Sequence, residues 1–130
     1  MTEMTAAQSR NLHVGIDIGS TTVKAVVLDA DTNEELFGVY RRHGSQQIQA
    51  TLRVLDEIVA RFPLFHIRCA LCGSGSEDIA RGIGAPFIQE VVAGATAVRA
   101  LYPQANCTIE LGGQDAKMIF FRHDESGVQE

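Results

Sequence analysis

The chain has 130 residues, 45% of them hydrophobic and 21% charged, enough for one globular domain with a real core. A net charge of -5, with no basic cluster to offset it, excludes a nucleic-acid surface, and no apolar run is long enough to span a bilayer. The 3 cysteines, an odd number with no export signal beside them, exclude a disulfide framework and point to the cytoplasm.

Residues 1–11 are polar, carry no apolar signal-peptide region, and read as a disordered tail. The first strand is predicted from Leu12 to Ile18. Leu12, Val14, Ile16 and Ile18 alternate onto one face; His13, Gly15 and Asp17 fall on the other. Asp17 therefore stands at the strand's end, beside the turn Gly19-Ser20-Thr21-Thr22. A turn of small and hydroxyl residues can aim several backbone N–H groups at one spot, as a phosphate requires. A carboxylate beside phosphates implies a metal ion, because alone it would repel them.

The second strand, Val23 to Leu28, is nearly all apolar and is predicted to be buried on both faces. Asp29 to Asn33 is a turn, and Leu36 to Arg42 a third strand that completes an antiparallel meander. Arg41, Arg42 and His43 form the densest basic spot and read as a solvated strand end. Ser45 is placed as the cap of a helix with the apolar stripe Ile48, Leu52, Leu55, Val59 and Phe62, which Pro63 ends. Ile67 to Cys72 is a fourth strand, leading into Gly73-Ser74-Gly75.

Ser76 is placed as the cap of a short helix with Glu77 and Asp78 in its first turn and Gly82 at its end. Pro86 to Gln89 is a short fifth strand. A second long helix runs from about Glu90 to Tyr102, with Val91, Ala95, Val98 and Tyr102 on one face and Pro103 closing it. Cys107 to Leu111 and Ala116 to Arg122 form a final hairpin, His123 to Gly127 a turn, and Val128 the start of a further strand. Three antiparallel strands followed by strands alternating with helices give an α/β fold with a mixed sheet. The pattern stops partway, so the chain is expected to be a fragment: a first half at 12–104 and the opening hairpin of a second at 105–130.

The segment from Asp17 to Lys24 lies on the segment from Glu110 to Lys117 without a gap, with an acid, an apolar residue, a glycine and a lysine in common. Two such strand–turn–strand units suggest two related halves facing each other over a nucleotide. Ordinary hairpins with glycine turns would account for either unit alone.

Gly15-Ile16-Asp17-Ile18-Gly19-Ser20-Thr21-Thr22 resembles the first phosphate loop of the sugar kinase, Hsp70 and actin ATPases. Leu111-Gly112-Gly113-Gln114-Asp115-Ala116-Lys117 resembles a segment of the BadF/BadG/BcrA/BcrD-type ATPase family. That family includes the activators of 2-hydroxyacyl-CoA dehydratases, such as 2-hydroxyglutaryl-CoA dehydratase, and related benzoyl-CoA reductase subunits. Ser20-Thr21-Thr22-Val23-Lys24 and Gly73-Ser74-Gly75 also fit it, so the resemblance covers Leu12 to about Phe121.

This resemblance implies a ribonuclease-H-like fold in two halves that bind ATP or ADP with Mg2+ between them. It also implies a homodimer holding a 4Fe-4S cluster, and hydrolysis that drives an electron into an acyl-CoA dehydratase or reductase component. Asp17 would hold magnesium, with Gly19, Ser20, Thr21 and Thr22 on the phosphates. Gly112, Gly113, Gln114 and Asp115 would form the opposing loop, and Lys24 and Lys117 would neutralise phosphate charge, although a packing or solvent-facing role suits either lysine as well. Asp17, Glu110 and Asp115 are the candidate catalytic acids.

Two positions depart from the family pattern. Glu110 stands where the family has Asp, which moves the carboxylate by about one bond length. Ser76 stands where the family often has arginine. Cys69 and Cys72 have redox-pair spacing, but residues three apart in a strand face opposite ways, so core packing is the reading. Cys107 is read onto the apolar face of its strand. The family's cluster ligands fall beyond residue 130, and none is assigned here. His13, His43, His66 and His123 have no partner at ligand spacing and are read as surface residues.

The leading expectation is thus the N-terminal part of an ATP-driven activator. A small-molecule kinase of the N-acetylglucosamine type is the alternative, less favoured because Glu110 precedes Gln114-Asp115 where a kinase needs a general-base aspartate. A non-catalytic nucleotide-sensing module is the third reading, and Mg-dependent ATP turnover would exclude it.

Overall fold

The computed structural model describes residues 10–126. Strand β1 (Asn11–Ile18) pairs antiparallel with β2 (Thr22–Asp29), and β2 with β3 (Glu35–Arg42). Helix α1 (Gln47–Arg61) then crosses over so that β4 (His66–Cys72) lies parallel to β1, giving the sheet order β3-β2-β1-β4. Helices α2 (Glu77–Ile83) and α3 (Glu90–Leu101) follow. A separate two-stranded sheet, β5 (Cys107–Leu111) with β6 (Ala116–Phe120), completes the described residues.

The alternation in β1 sets one core. Leu12, Val14, Ile16 and Ile18 are buried beside Val23, Ala25 and Val27 of β2 and Leu71 of β4, under Val54 and Ile58 of α1. Each buried Val, Leu or Ile side chain contributes about 1.5–3 kcal/mol through the apolar surface it takes from water. The turn after β2 is held by Asp29, whose Oδ1 accepts the N–H groups of Asp31 and Thr32 at 2.9 and 3.0 Å. Those two donors hold the Asp29 carboxyl below its usual pKa.

Several expectations change here. β2 is covered on one face only: Val26 is 39% exposed, because α1 packs on the Val23 side and, among the described residues, no layer covers the other. The buried stripe of α1 is Ala50, Thr51, Val54 and Ile58, whereas Ile48, Leu52 and Val59 face outward. Leu55 and Phe62 of the expected stripe are partly buried against the core. Gln46, not Ser45, is the N-cap residue; Ser45 has φ 64° and belongs to the preceding turn. Ser76 does precede α2, but its Oγ donates to Gly73 O at 2.8 Å and makes no cap bond. Gly82 lies inside α2, and the left-handed cap is Gly84, φ 70°.

The fifth strand reduces to one parallel bridge, Leu71 to Phe87. No residue of α3 is buried, and Val91 and Tyr102 of its expected inner face are 49% and 66% exposed. β6 ends at Phe120 rather than Arg122. Cys107 is exposed on β5 instead of packed. The strand begins at Asn11, one residue into the expected tail; residues 1–9 of that tail, and the further strand expected from Val128, lie outside the described residues.

Candidate functional site

Strand register brings Tyr40, Lys24, Asp17 and Cys72 side by side across the open face of the sheet, at the carboxyl end of β1. Lys24 Nζ donates to Asp17 Oδ2 at 3.0 Å and lies 5.8 Å from the Tyr40 ring centre. Burial lowers the Lys24 pKa, but the hydrogen bond and charge of Asp17 outweigh it, and the group ends above its ordinary value. Burial pushes the Cys72 thiol up to about 11, with the charges of Asp17 and Glu110 adding to the effect. Cys69 and Cys72 face opposite sides of β4, as alternation requires: Cys69 packs toward the core, and Cys72 is level with Asp17.

Asp17 Oδ1 is buried without a hydrogen-bond partner among the described residues. Gly73 closes over it. Its φ is 102°, and a Cβ there would lie 2.3 Å from Ile18 O and 2.6 Å from Asp17 Oδ1. Only glycine fits that approach.

The two acid-bearing units have the same build. In the first turn Gly19 N–H donates to Thr22 O at 2.9 Å; in the second Gly112 N–H donates to Asp115 O at 2.8 Å. Asp17 opposes Lys24 in one hairpin as Glu110 opposes Lys117 in the other. The repeat in sequence is therefore a repeat in register.

The second turn rests on the first: a Cβ on Gly113 would lie 2.9 Å from Thr21 Oγ1 and 3.6 Å from Ser20 Oγ. Between them is a cleft of about 340 Å³ lined by Asp17, Gly19, Ser20, Thr21, Thr22 and Lys24 from one side. Glu110, Gly112, Gly113, Gln114, Asp115 and Lys117 line the other, so every candidate site residue borders one space. Ser74, from the Gly73-Ser74-Gly75 segment, also lines it, as does Glu90, which was not foreseen. Glu90, at the start of α3, forms an ion pair with Lys117, so that lysine is neither solvent-facing nor free.

His43 is a second residue missed. It is 7% exposed, and its Nε2 lies 2.9 Å from Gly19 O, so it is not a surface residue. Arg41 beside it pairs with Glu57 of α1 at 2.6 Å. The available signal was topological: in an antiparallel meander the end of β3 lies level with the start of β2, next to the first turn.

The residues suit a nucleotide-borne magnesium ion. A buried, unpaired carboxylate oxygen is costly unless a cation or water meets it, and Mg2+ on a nucleotide takes only one or two protein carboxylates. They do not suit an iron–sulfur cluster: among the described residues no three His, Cys, Asp or Glu side chains form a metal-binding group.

The meander, crossover helix and parallel fourth strand are those of an actin-like ATPase fold. The chain is similar to the activator of 2-hydroxyisocaproyl-CoA dehydratase from Clostridium difficile with bound ADPNP: TM-score 0.69 and 26% identity over 91% of this chain and 43% of that one. For the (R)-2-hydroxyglutaryl-CoA dehydratase component A of Acidaminococcus fermentans the values are 0.72, 24%, 91% and 44%. A Ppx/GppA family protein of Aquifex aeolicus shares the fold at TM-score 0.51 and 16% identity, over 85% of this chain and 51% of that one. The chain spans less than half the length of either of the first two. Its sequence matches no protein-family model and no curated protein. Among the described residues no helix is long and apolar enough to cross a membrane.

Proposed function

We propose that the chain is the nucleotide-gripping N-terminal part of an ATP-hydrolysing activator that drives electron transfer to an acyl-CoA dehydratase or reductase component. The observation that carries this reading is the seating of the second acid-bearing turn on the first, with both acids on one cleft. Likeness to an activator with bound ADPNP supports it. Residues 12–104 would form the first half of the ATPase and 105–130 the opening hairpin of the second. The whole activator would be a cytoplasmic homodimer, with cluster ligands outside this chain.

In this reading Asp17 holds Mg2+, which supplies charge neutralisation at the phosphates. The turns Gly19 to Thr22 and Gly112 to Gln114 present N–H and hydroxyl groups to the phosphate oxygens from two sides. Lys24 and Lys117 then exchange their carboxylate partners, Asp17 and Glu90, for phosphate charge. Glu110 and Asp115 orient the attacking water.

Calorimetry of Mg-ATP binding to the chain and its Asp17→Asn variant tests the site. Asn keeps the shape and loses the charge, so magnesium should tighten ATP binding to the wild-type chain and have no such effect on the variant. Equal magnesium dependence in both would remove Asp17 from the metal site. Turnover of Mg-ATP by the protein carrying both halves would exclude a purely sensing module, and iron and sulfide in it would exclude the kinase.

A further inference from the structure

We propose that His43, assisted by Gln47, is a positioning residue that aims the phosphate-binding amide of the first turn; the proposal rests on the nucleotide reading above. His43 Nδ1 accepts the Ser45 N–H at 3.0 Å. An accepting Nδ1 leaves the ring proton on Nε2, which donates to Gly19 O at 2.9 Å. Gln47 Nε2 donates to the same oxygen at 3.2 Å. The His43 backbone N–H also donates to Thr21 O at 3.1 Å, so one residue grips two carbonyls of the turn.

In a trans peptide the carbonyl of one residue and the N–H of the next point opposite ways. Fixing Gly19 O toward His43 therefore fixes the Ser20 N–H away from it. Ser20 lines the cleft and has no hydrogen-bond partner among the described residues. Its N–H is thereby aimed at the cleft, ready for a phosphate oxygen. Two details show that the clamp is built into the fold. Gly44 and Ser45 take φ 54° and 64°, which folds the Ser45 N–H back onto the imidazole. Gly75 leaves room for Gln47, whose amide nitrogen would lie 2.5 Å from a Cβ at that position.

The test is an amide NMR titration of the 130-residue chain with Mg-ATP, in wild type, His43→Phe and His43→Gln. Phe fills the same space without donors, and Gln can place a nitrogen near Nε2. In wild type both Ser20 and Gly113 amides should shift on saturation. In His43→Phe the affinity should fall about tenfold, the loss of roughly one hydrogen bond's alignment, with the Ser20 response lost and that of Gly113 kept. His43→Gln should restore the Ser20 response. A general loss of structure would instead remove both responses.

Unchanged affinity and Ser20 response in His43→Phe would overturn the clamp while leaving the nucleotide site standing. No shift in wild type would overturn the nucleotide reading itself. Imidazole nitrogen spectra of the wild type give a check that needs no variant: the Nε2–H tautomer is expected, and Nδ1–H would overturn the clamp.

Discussion

At the scale of single residues, the acids and turns that border the cleft come from short local runs, and the side chains that hold the first turn come from elsewhere in the chain. Asp17, Glu110, the glycines and the hydroxyls were legible as candidates because a phosphate site would need those residue types in short local runs. His43, Gln47 and Glu90 were not, since Glu90 reaches the cleft, and His43 and Gln47 reach Gly19 O, from other elements, and their own neighbours say nothing about it. Gly73 is the most constrained residue beside the site. Alanine there must leave φ 102° or push Ile18 O and Asp17 Oδ1 aside. Gly73→Ala is expected to cost about 2–4 kcal/mol of stability, measured by urea unfolding. Cys72 permits a chemical test. A thiol held near 11 in place of 9.0 carries about a hundredfold less thiolate at pH 8. Iodoacetamide at that pH should label the exposed Cys107 first and Cys72 last, followed by peptide mass spectrometry. Because the unfolded chain gives up this proton first, the fold loses stability as pH rises from 9.0 toward 11.

Among the elements, α1 shows why helical periodicity alone was insufficient. Its apolar residues cover more than one stripe, and periodicity cannot say which stripe meets the sheet. Small Ala50 and Thr51 decide it, letting the helix approach β2 closely so that Val54 and Ile58 are buried at 0% and 1% exposure. The Thr51 hydroxyl is satisfied on the way, donating to Gln47 O at 2.7 Å. Ile58→Ala should therefore cost about 2–5 kcal/mol and Leu52→Ala less than about 1, compared by chemical denaturation. The reverse order would restore the stripe read from the sequence. Strands β1 to β4 were legible to within one residue at each end, because alternation and turn residues mark them together. Caps were less so: the Ser76 hydroxyl is drawn to Gly73 O, and Ser45 lies in the turn before α1 with φ 64° and its backbone N–H on His43 Nδ1.

In the whole molecule, the four-stranded sheet is well packed and the β5–β6 hairpin is thinly covered. Among the described residues, the contacts of the β5–β6 hairpin with the rest include Gly113 on Thr21, Lys117 on Glu90 and Ile119 near Gly94. Leu111 and Phe120 on that hairpin are 80% and 71% exposed. A two-stranded sheet with so little cover opens readily. Hydrogen exchange should be fast from Cys107 to Phe120 and slow in β1 and β2, as read by mass spectrometry. Protection in the hairpin equal to that in β1 would mean that the two parts open as one unit. The sheet order has another consequence, for synthesis. β1 meets β2 across a short turn, but it meets β4 only after α1 has been made, and closing the shorter loop is the quicker event. A chain leaving the ribosome from its N-terminus thus completes the turn bearing Asp17 and Lys24 before residues 110–117 have emerged. The later turn docks onto a finished template, so a translation pause between the two would leave the first half of the cleft intact.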